Sequence, residues 1–130
     1  MSMADVEVVR AIIAEFLAGD YEASLGHYAE DVEGDFTHMP DGRVAHGREG
    51  IREEVARWQL TWDSFETELE EAVDAGDLVM IVVRQSGVGK GSGMKTSIRY
   101  AQLFRLRGDE VVWMKTYLDV DEGRHAAGLG

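Results

Sequence analysis

An imidazole titrates near neutral pH and a phenol can donate to a developing oxyanion, so a histidine facing a tyrosine across a pocket can move protons. His38 and Tyr100 are the residues whose placement allows that pairing. Val32, Gly34, Phe36 and His38 alternate with Glu33, Asp35 and Thr37, which predicts a strand with His38 on the same inward face as Phe36. Tyr100 and Gln102 alternate in the same way within Thr96 to Leu106. On this reading His38 is the base, Tyr100 the oxyanion donor, and Gln102 and Thr116 orient the substrate, which suits proton transfer, dehydration or an aldol-type closure. The competing reading leaves His38 at the mouth, touching Asp35 or solvent, with no catalytic part.

A pocket for an apolar ligand needs a greasy wall with a few orienting polar groups. Phe16, Trp58 and Trp62 supply a flat aromatic wall suited to a planar ring system, although helical spacing equally suits ordinary core packing. Tyr28, Phe36, Val83, Met114 and Leu118 extend the apolar lining, and Gln85, Gln102 and Thr116 are inward polar groups among Val79, Ile81 and Ile98. Those buried amides require partners, either ligand atoms or the hydroxyls of Tyr28 and Tyr100. The four histidines, His27, His38, His46 and His125, match no metal-ligand spacing, so no metal is expected. Gly87, Gly89, Gly91 and Gly93 surround Lys90 without the Walker or dinucleotide spacing, which reads as a hairpin tip or a flap over the pocket. A nucleophile elbow is absent.

The elements that must hold these residues follow from periodicity. Val6, Val9, Ile12, Ile13, Phe16 and Leu17 predict an amphipathic helix over 5–17 that stops at Gly19. Asp20 then caps a second helix carrying Tyr21, Leu25, Tyr28 and Ala29. After a turn at Met39, Pro40, Asp41 and Gly42, a third helix places Ile51, Val55, Trp58 and Trp62 inward, with Arg48, Glu49, Arg52, Glu53, Glu54 and Arg57 on its wet side. Strands follow at Phe65 to Val73, Leu78 to Gln85, Thr96 to Leu106 and Val111 to Asp119, separated by Ala75-Gly76-Asp77, the Gly-rich tip and Arg107-Gly108-Asp109. The whole is an α+β fold: three N-terminal helices packed in a strongly curved antiparallel sheet. One domain spans 1–130, with 1–4 and 124–130 expected to be flexible. Leu78, Met80 and Val82 are as apolar as Val79, Ile81 and Val83, so the outer sheet face is expected to meet a second copy in a homodimer, with Arg84 and Arg99 facing acids across it.

Composition narrows the partners. Thirteen basic against twenty-five acidic residues give a net charge of −12, which repels nucleic acid and anionic membranes. There are no cysteines, so disulfides and thiolate chemistry are excluded. No apolar run reaches the about eighteen residues of a membrane span, and Met1 to Val9 carries charges where a signal peptide is apolar, so a cytoplasmic location is expected.

The order of these elements, with Ala18-Gly19-Asp20, Tyr28-Ala29-Glu30-Asp31-Val32, Gly47-Arg48-Glu49-Gly50-Ile51-Arg52, Ala75-Gly76-Asp77 and Tyr117-Leu118-Asp119, resembles the SnoaL-like branch of the nuclear-transport-factor-two-like superfamily. The resemblance implies a cone-shaped fold around an apolar cavity, frequent dimerisation through the outer face, and functions ranging from polyketide cyclase, ketosteroid isomerase and dehydratase to noncatalytic binding. It also implies where the family's acids and donors would stand. The ketosteroid isomerase positions fall on Phe36, Tyr100 and Ile12, and the cyclase base falls on Thr116, so the carboxylate bases are missing. Asp119 could substitute only through a bulge in the last strand. Three functions remain: a cofactor-independent acid–base enzyme on a hydrophobic ring substrate, a noncatalytic ligand carrier, and a dimeric association module.

Overall fold

The computed structural model describes residues 3–129. Helix α1 (Met3–Leu17) buries Val6, Val9, Ile12 and Ile13, the stripe its period predicts. Helix α2 (Tyr21–Leu25) is only five residues long, opened by the Asp20 carboxylate accepting from the Ala23 amide at 3.2 Å. Tyr28 and Ala29, expected on this helix, instead begin strand β1 (Tyr28–Asp35). A tight turn leads to a strand that periodicity did not reveal, β2 (Val44–His46), and then to helix α3 (Gly47–Gln59). Trp62 is not on that helix. The Thr61 hydroxyl donates to the Trp58 carbonyl at 2.7 Å beyond the helix end, and Trp62 opens β3 (Trp62–Asp74).

Strands β4 (Val79–Gly89), β5 (Lys95–Arg107) and β6 (Glu110–Tyr117) complete one curved six-stranded sheet in the order β2-β1-β6-β5-β4-β3. All neighbours are antiparallel except β1 and β6, which run parallel. Register shifts interrupt the β3–β4 and β5–β6 pairings, and such bulges bend and twist long strands. Gly87 is needed where β4 presses on β3: a Cβ there would lie 2.1 Å from the Ser64 carbonyl oxygen.

The C-terminal segment is not a loose tail. Helix α4 (Val120–Ala126) is capped by the Asp119 carboxylate, which accepts from the amides of Asp121 (2.9 Å) and Glu122 (3.2 Å). It lies on the outer sheet face, where Met80, Val82, Ala101, Leu103, Tyr117 and Ala127 form a second buried cluster. Residues 3 and 4 likewise belong to α1, while residues 1, 2 and 130 lie outside the described residues. Arg84 and Arg99, expected to face a second subunit, both meet Glu70 of the same chain, at 2.9 and 2.6 Å. Part of the outer apolar face and both arginines thus find partners within one chain. No helix among the described residues is long and apolar enough to cross a membrane.

Gly123 sets the docking of α4, since a Cβ there would lie 2.7 Å from the Ala101 Cβ. Gly123→Leu should lift the helix and cost about 2 kcal/mol, in the range of overpacked sites. Urea denaturation together with increased binding of a hydrophobic dye to the exposed outer face would register it, and an unchanged midpoint would show that α4 contributes nothing to the core.

Candidate functional site

The pairing registers fix which side chains face inward. Val83 stands opposite Tyr100, Ile81 opposite Gln102, and Gln102 opposite Thr116. Over this face stand Ile12, Ile13 and Phe16 of α1, Leu25 of α2, and Ile51, Val55 and Trp58 of α3, around a cavity of about 560 Å³. Gly34 admits α3 to the sheet, because a Cβ there would meet Ile51 Cδ1 at 2.4 Å. Met39, Pro40, Asp41 and Gly42 of the turn after β1, with exposed Leu60, form the rim.

Polar groups within the cavity fall into two kinds. Gln85 is used at both ends: its carbonyl accepts from Trp58 Nε1 at 2.5 Å and its amide donates to Thr67 Oγ1 at 3.2 Å. Gln102 donates to Thr116 Oγ1 at 3.2 Å. The tyrosine hydroxyls, one of the two kinds of partner expected for these amides, are not among them. Tyr28 and Tyr100 are buried, line the cavity, and have no hydrogen-bond partner among the described residues. Burial pushes both phenols well above the ordinary phenol range, so they remain neutral donors.

Phe16, Tyr28, Phe36, Trp58, Val83, Gln85, Tyr100, Gln102 and Thr116 line the cavity, as expected from the sequence. Three proposed lining residues do not. Met114 is packed into the core against Gly34, Trp62 borders a neighbouring groove, and Leu118 lies past the end of β6, 40% exposed. His38 is also outside. The strand ends at Asp35, whose carboxylate accepts from the Thr37 amide (2.9 Å) and hydroxyl (2.6 Å), and this turn breaks the alternation that placed His38 inward. The imidazole instead lies edge-on to Tyr117, 4.9 Å between centroids, with Nδ1 3.5 Å from Glu122 Oε1. Since Tyr117 faces outward and Tyr100 inward, the structure does not bring the proposed base and donor together.

One residue read as solvated is a cavity wall. Glu54 is 7% exposed and pairs with Arg57 (2.5 Å) and Arg43 (3.3 Å), while Arg57 also donates to the Asp41 carbonyl at 2.6 Å. The signal was present: Glu54 is three residues after Ile51 and four before Trp58, on the helix face those two define. Arg52 lines the cavity as well, paired with Glu22 at 2.7 Å. Among the described residues no group of three or more His, Cys, Asp or Glu could hold a metal ion.

An α+β domain whose curved six-stranded sheet wraps around helices in this order is similar in fold to nuclear-transport-factor-two-like proteins. Solved structures agree. An NTF2-like protein of Burkholderia thailandensis superposes with a TM-score of 0.80 at 23% identity, covering 94% of this chain and 95% of that one. A protein of Catenulispora acidiphila with a ketosteroid isomerase-like fold, in complex with trimethylamine, gives 0.73 at 26% identity over 95% and 94%. TerC, co-crystallised with polyporic acid, gives 0.75 at 19% identity over 96% and 98%. No curated protein sequence matches the chain significantly. The SnoaL-like domain matches residues 9–114, and the chain belongs to that family.

Two outcomes are expected from the site's charges. Glu54→Gln should cost about 1–2 kcal/mol by chemical denaturation, less than the about 3–5 kcal/mol of a fully buried pair, because Arg57 is 36% exposed and keeps water. A loss near zero would show the pair to be incidental. Above about pH 10 the unfolded chain releases phenol protons that buried Tyr28 and Tyr100 retain, so it binds fewer protons than the folded form and stability falls as pH rises. A Tyr28→Phe, Tyr100→Phe double variant should show a shallower alkaline loss in urea midpoints taken between about pH 8 and 11.

Proposed function

We propose that this SnoaL-like protein binds an apolar, ring-bearing small molecule in the cavity, with the hydroxyls of Tyr28 and Tyr100 donating to an oxygen acceptor on the ligand. The observation that carries the reading is the pair of buried phenols, without hydrogen-bond partners among the described residues, in a largely apolar enclosure of about 560 Å³. Such a volume suits a compact ring system, and neutral donors favour a carbonyl, hydroxyl or phenolate oxygen. Two neighbours of the same fold hold small organic molecules, polyporic acid in one and trimethylamine in the other, which supports a ligand site within this architecture.

Binding without turnover is favoured by the state of the cavity's carboxylates. Glu22 pairs with Arg52, Glu54 pairs with Arg57 and Arg43, and Asp41 stands at the exposed rim. A carboxylate engaged by arginine is a poor proton acceptor. His38, the remaining candidate base, touches Tyr117 and Glu122 outside the cavity.

Calorimetric titration with 2-naphthol, a compact phenolic ring, tests the reading. Tyr28→Phe and Tyr100→Phe should each weaken binding about five- to tenfold, the worth of one net hydrogen bond, while His38→Ala stays within about twofold. Wild-type affinity measured by fluorescence should be flat from about pH 6 to 9, because the phenols do not titrate there. Absence of binding rejects the proposal, and time-dependent conversion of cyclisable or enolisable ring ketones, followed by mass spectrometry, would replace a carrier with an enzyme.

A further inference from the structure

Beside the cavity a second hollow runs between the end of α1 and the first residues of β3. Phe16, Tyr21, Gln59 and Thr67 border both and form a shared partition between the two spaces. Beyond that partition the groove is walled by Leu17, Trp62 and Phe65. Its aromatic groups form a continuous path: Trp58 on the cavity wall meets Trp62 at 5.9 Å, and Trp62 meets Phe65 at 6.4 Å, with Phe16 and Tyr21 tilted together at 5.2 Å on the opposite bank. Leu17 and Tyr21 are 47% and 42% exposed, an apolar surface that an aromatic ring would cover. Trp62 is 9% exposed, yet its indole N–H is buried without a hydrogen-bond partner among the described residues.

The charges are one-sided. Asp63 and Glu66 line the groove, neither belongs to an ion pair among the described residues, and no Lys or Arg lines it. The cavity, in contrast, is bordered by Arg52 and Arg57, each already paired. With a chain charge of −12 behind them, Asp63 and Glu66 disfavour an anion in the groove and favour a neutral or cationic group.

We propose that the groove is a distal subsite of the same ligand site, holding the second aromatic ring of an elongated biaryl-type molecule whose far end is neutral or cationic and not anionic. This rests on the cavity-binding reading above: the proximal ring and its acceptor oxygen sit at Tyr28 and Tyr100, and the distal ring passes between Phe16 and Gln59 to lie against Trp62 and Phe65. Aromatic contact with those side chains adds affinity, and the two carboxylates select the terminal group.

The test titrates three probes into the intact protein: 2-naphthol, 4′-(aminomethyl)biphenyl-4-ol, and 4′-hydroxybiphenyl-4-carboxylic acid. The amine should bind at least about tenfold more tightly than naphthol, because its linked second ring reaches the groove as naphthol's fused one does not, and at least about tenfold more tightly than the carboxylate, from the charges. Asp63 and Glu66 are exposed, so the Asp63→Asn, Glu66→Gln variant keeps the fold; it should bring the two biphenyls within about twofold while leaving naphthol unchanged. Naphthol binding without any gain for the amine, equal binding of the two biphenyls to the wild type, or a preference that survives the double variant would overturn the subsite and leave the cavity reading intact. Failure of all three probes to bind would overturn both.

Discussion

The hollow interior depends on a helix being held off a sheet by a polar tie. Trp58 of α3 donates to Gln85 of β4 at 2.5 Å, and Gln85 donates in turn to Thr67 of β3 at 3.2 Å. A buried amide is tolerated only when satisfied, so this chain of two hydrogen bonds specifies the distance between helix and sheet far more narrowly than apolar contact could. Replacing it with greasy surface would let α3 settle onto Val83 and fill the space. The same face of α3 is tied again, through Glu54, Arg57 and the Asp41 carbonyl, which hold the rim turn against the helix. On the other wall the Ser24 hydroxyl donates to the Ile12 carbonyl at 2.9 Å and fixes α2 against α1. The cavity is thus framed by directional bonds, while most of its lining surface is apolar.

The outer face solves a different problem. Long strands with apolar residues on both sides would leave Met80, Val82 and Leu103 open to water, and α4 covers them through a glycine that allows backbone-close packing. Where α4 does not reach, Glu70 is shared by Arg99 and Arg84, and these hydrogen bonds hold its carboxyl below the ordinary range. Two arginines on neighbouring strands would repel each other, and one carboxylate between them removes that conflict in a strongly acidic chain.

The sheet was legible because a period of two admits only two faces. Once Val83 is placed inward, Val79, Ile81 and Gln85 follow, and pairing carries the assignment to Tyr100, Gln102, Met114 and Thr116. Turn chemistry was equally clear at Ala75-Gly76-Asp77, where Gly76 adopts φ +84°. What failed were extrapolations of a period across an element boundary. Tyr28 fits the spacing of a helix that ends at Leu25, Trp62 fits four residues after Trp58 although the helix ends at Gln59, and His38 fits the alternation of a strand that ends at Asp35. Each boundary lies where local hydrogen bonds compete with the repeating pattern, as at Asp35 and Thr37. Glu54 and α4 were missed for another reason. Charge outweighed position for the first, and a Gly-containing polar segment concealed a capped helix in the second, although Asp119 offered the cap.

That distribution of legible and illegible parts bears on function. The residues that sequence placed correctly in the cavity are apolar walls and neutral hydrogen-bonding groups, whereas the one imidazole offered as a base lies beyond a strand end, on the opposite side of the sheet. Positions where the family resemblance implies a carboxylate base are held by Phe36, which adds to the apolar lining, and by Thr116, which is engaged by Gln102. Carboxylates do border the cavity: arginines hold Glu22 and Glu54, and Asp41 stands at the rim. An enclosure whose donors are phenols kept neutral by burial can recognise an oxygen acceptor at constant strength across physiological pH. The proposed binding role therefore rests on neutral side chains, Phe36 and Thr116, standing on the sheet where the resemblance implies carboxylates.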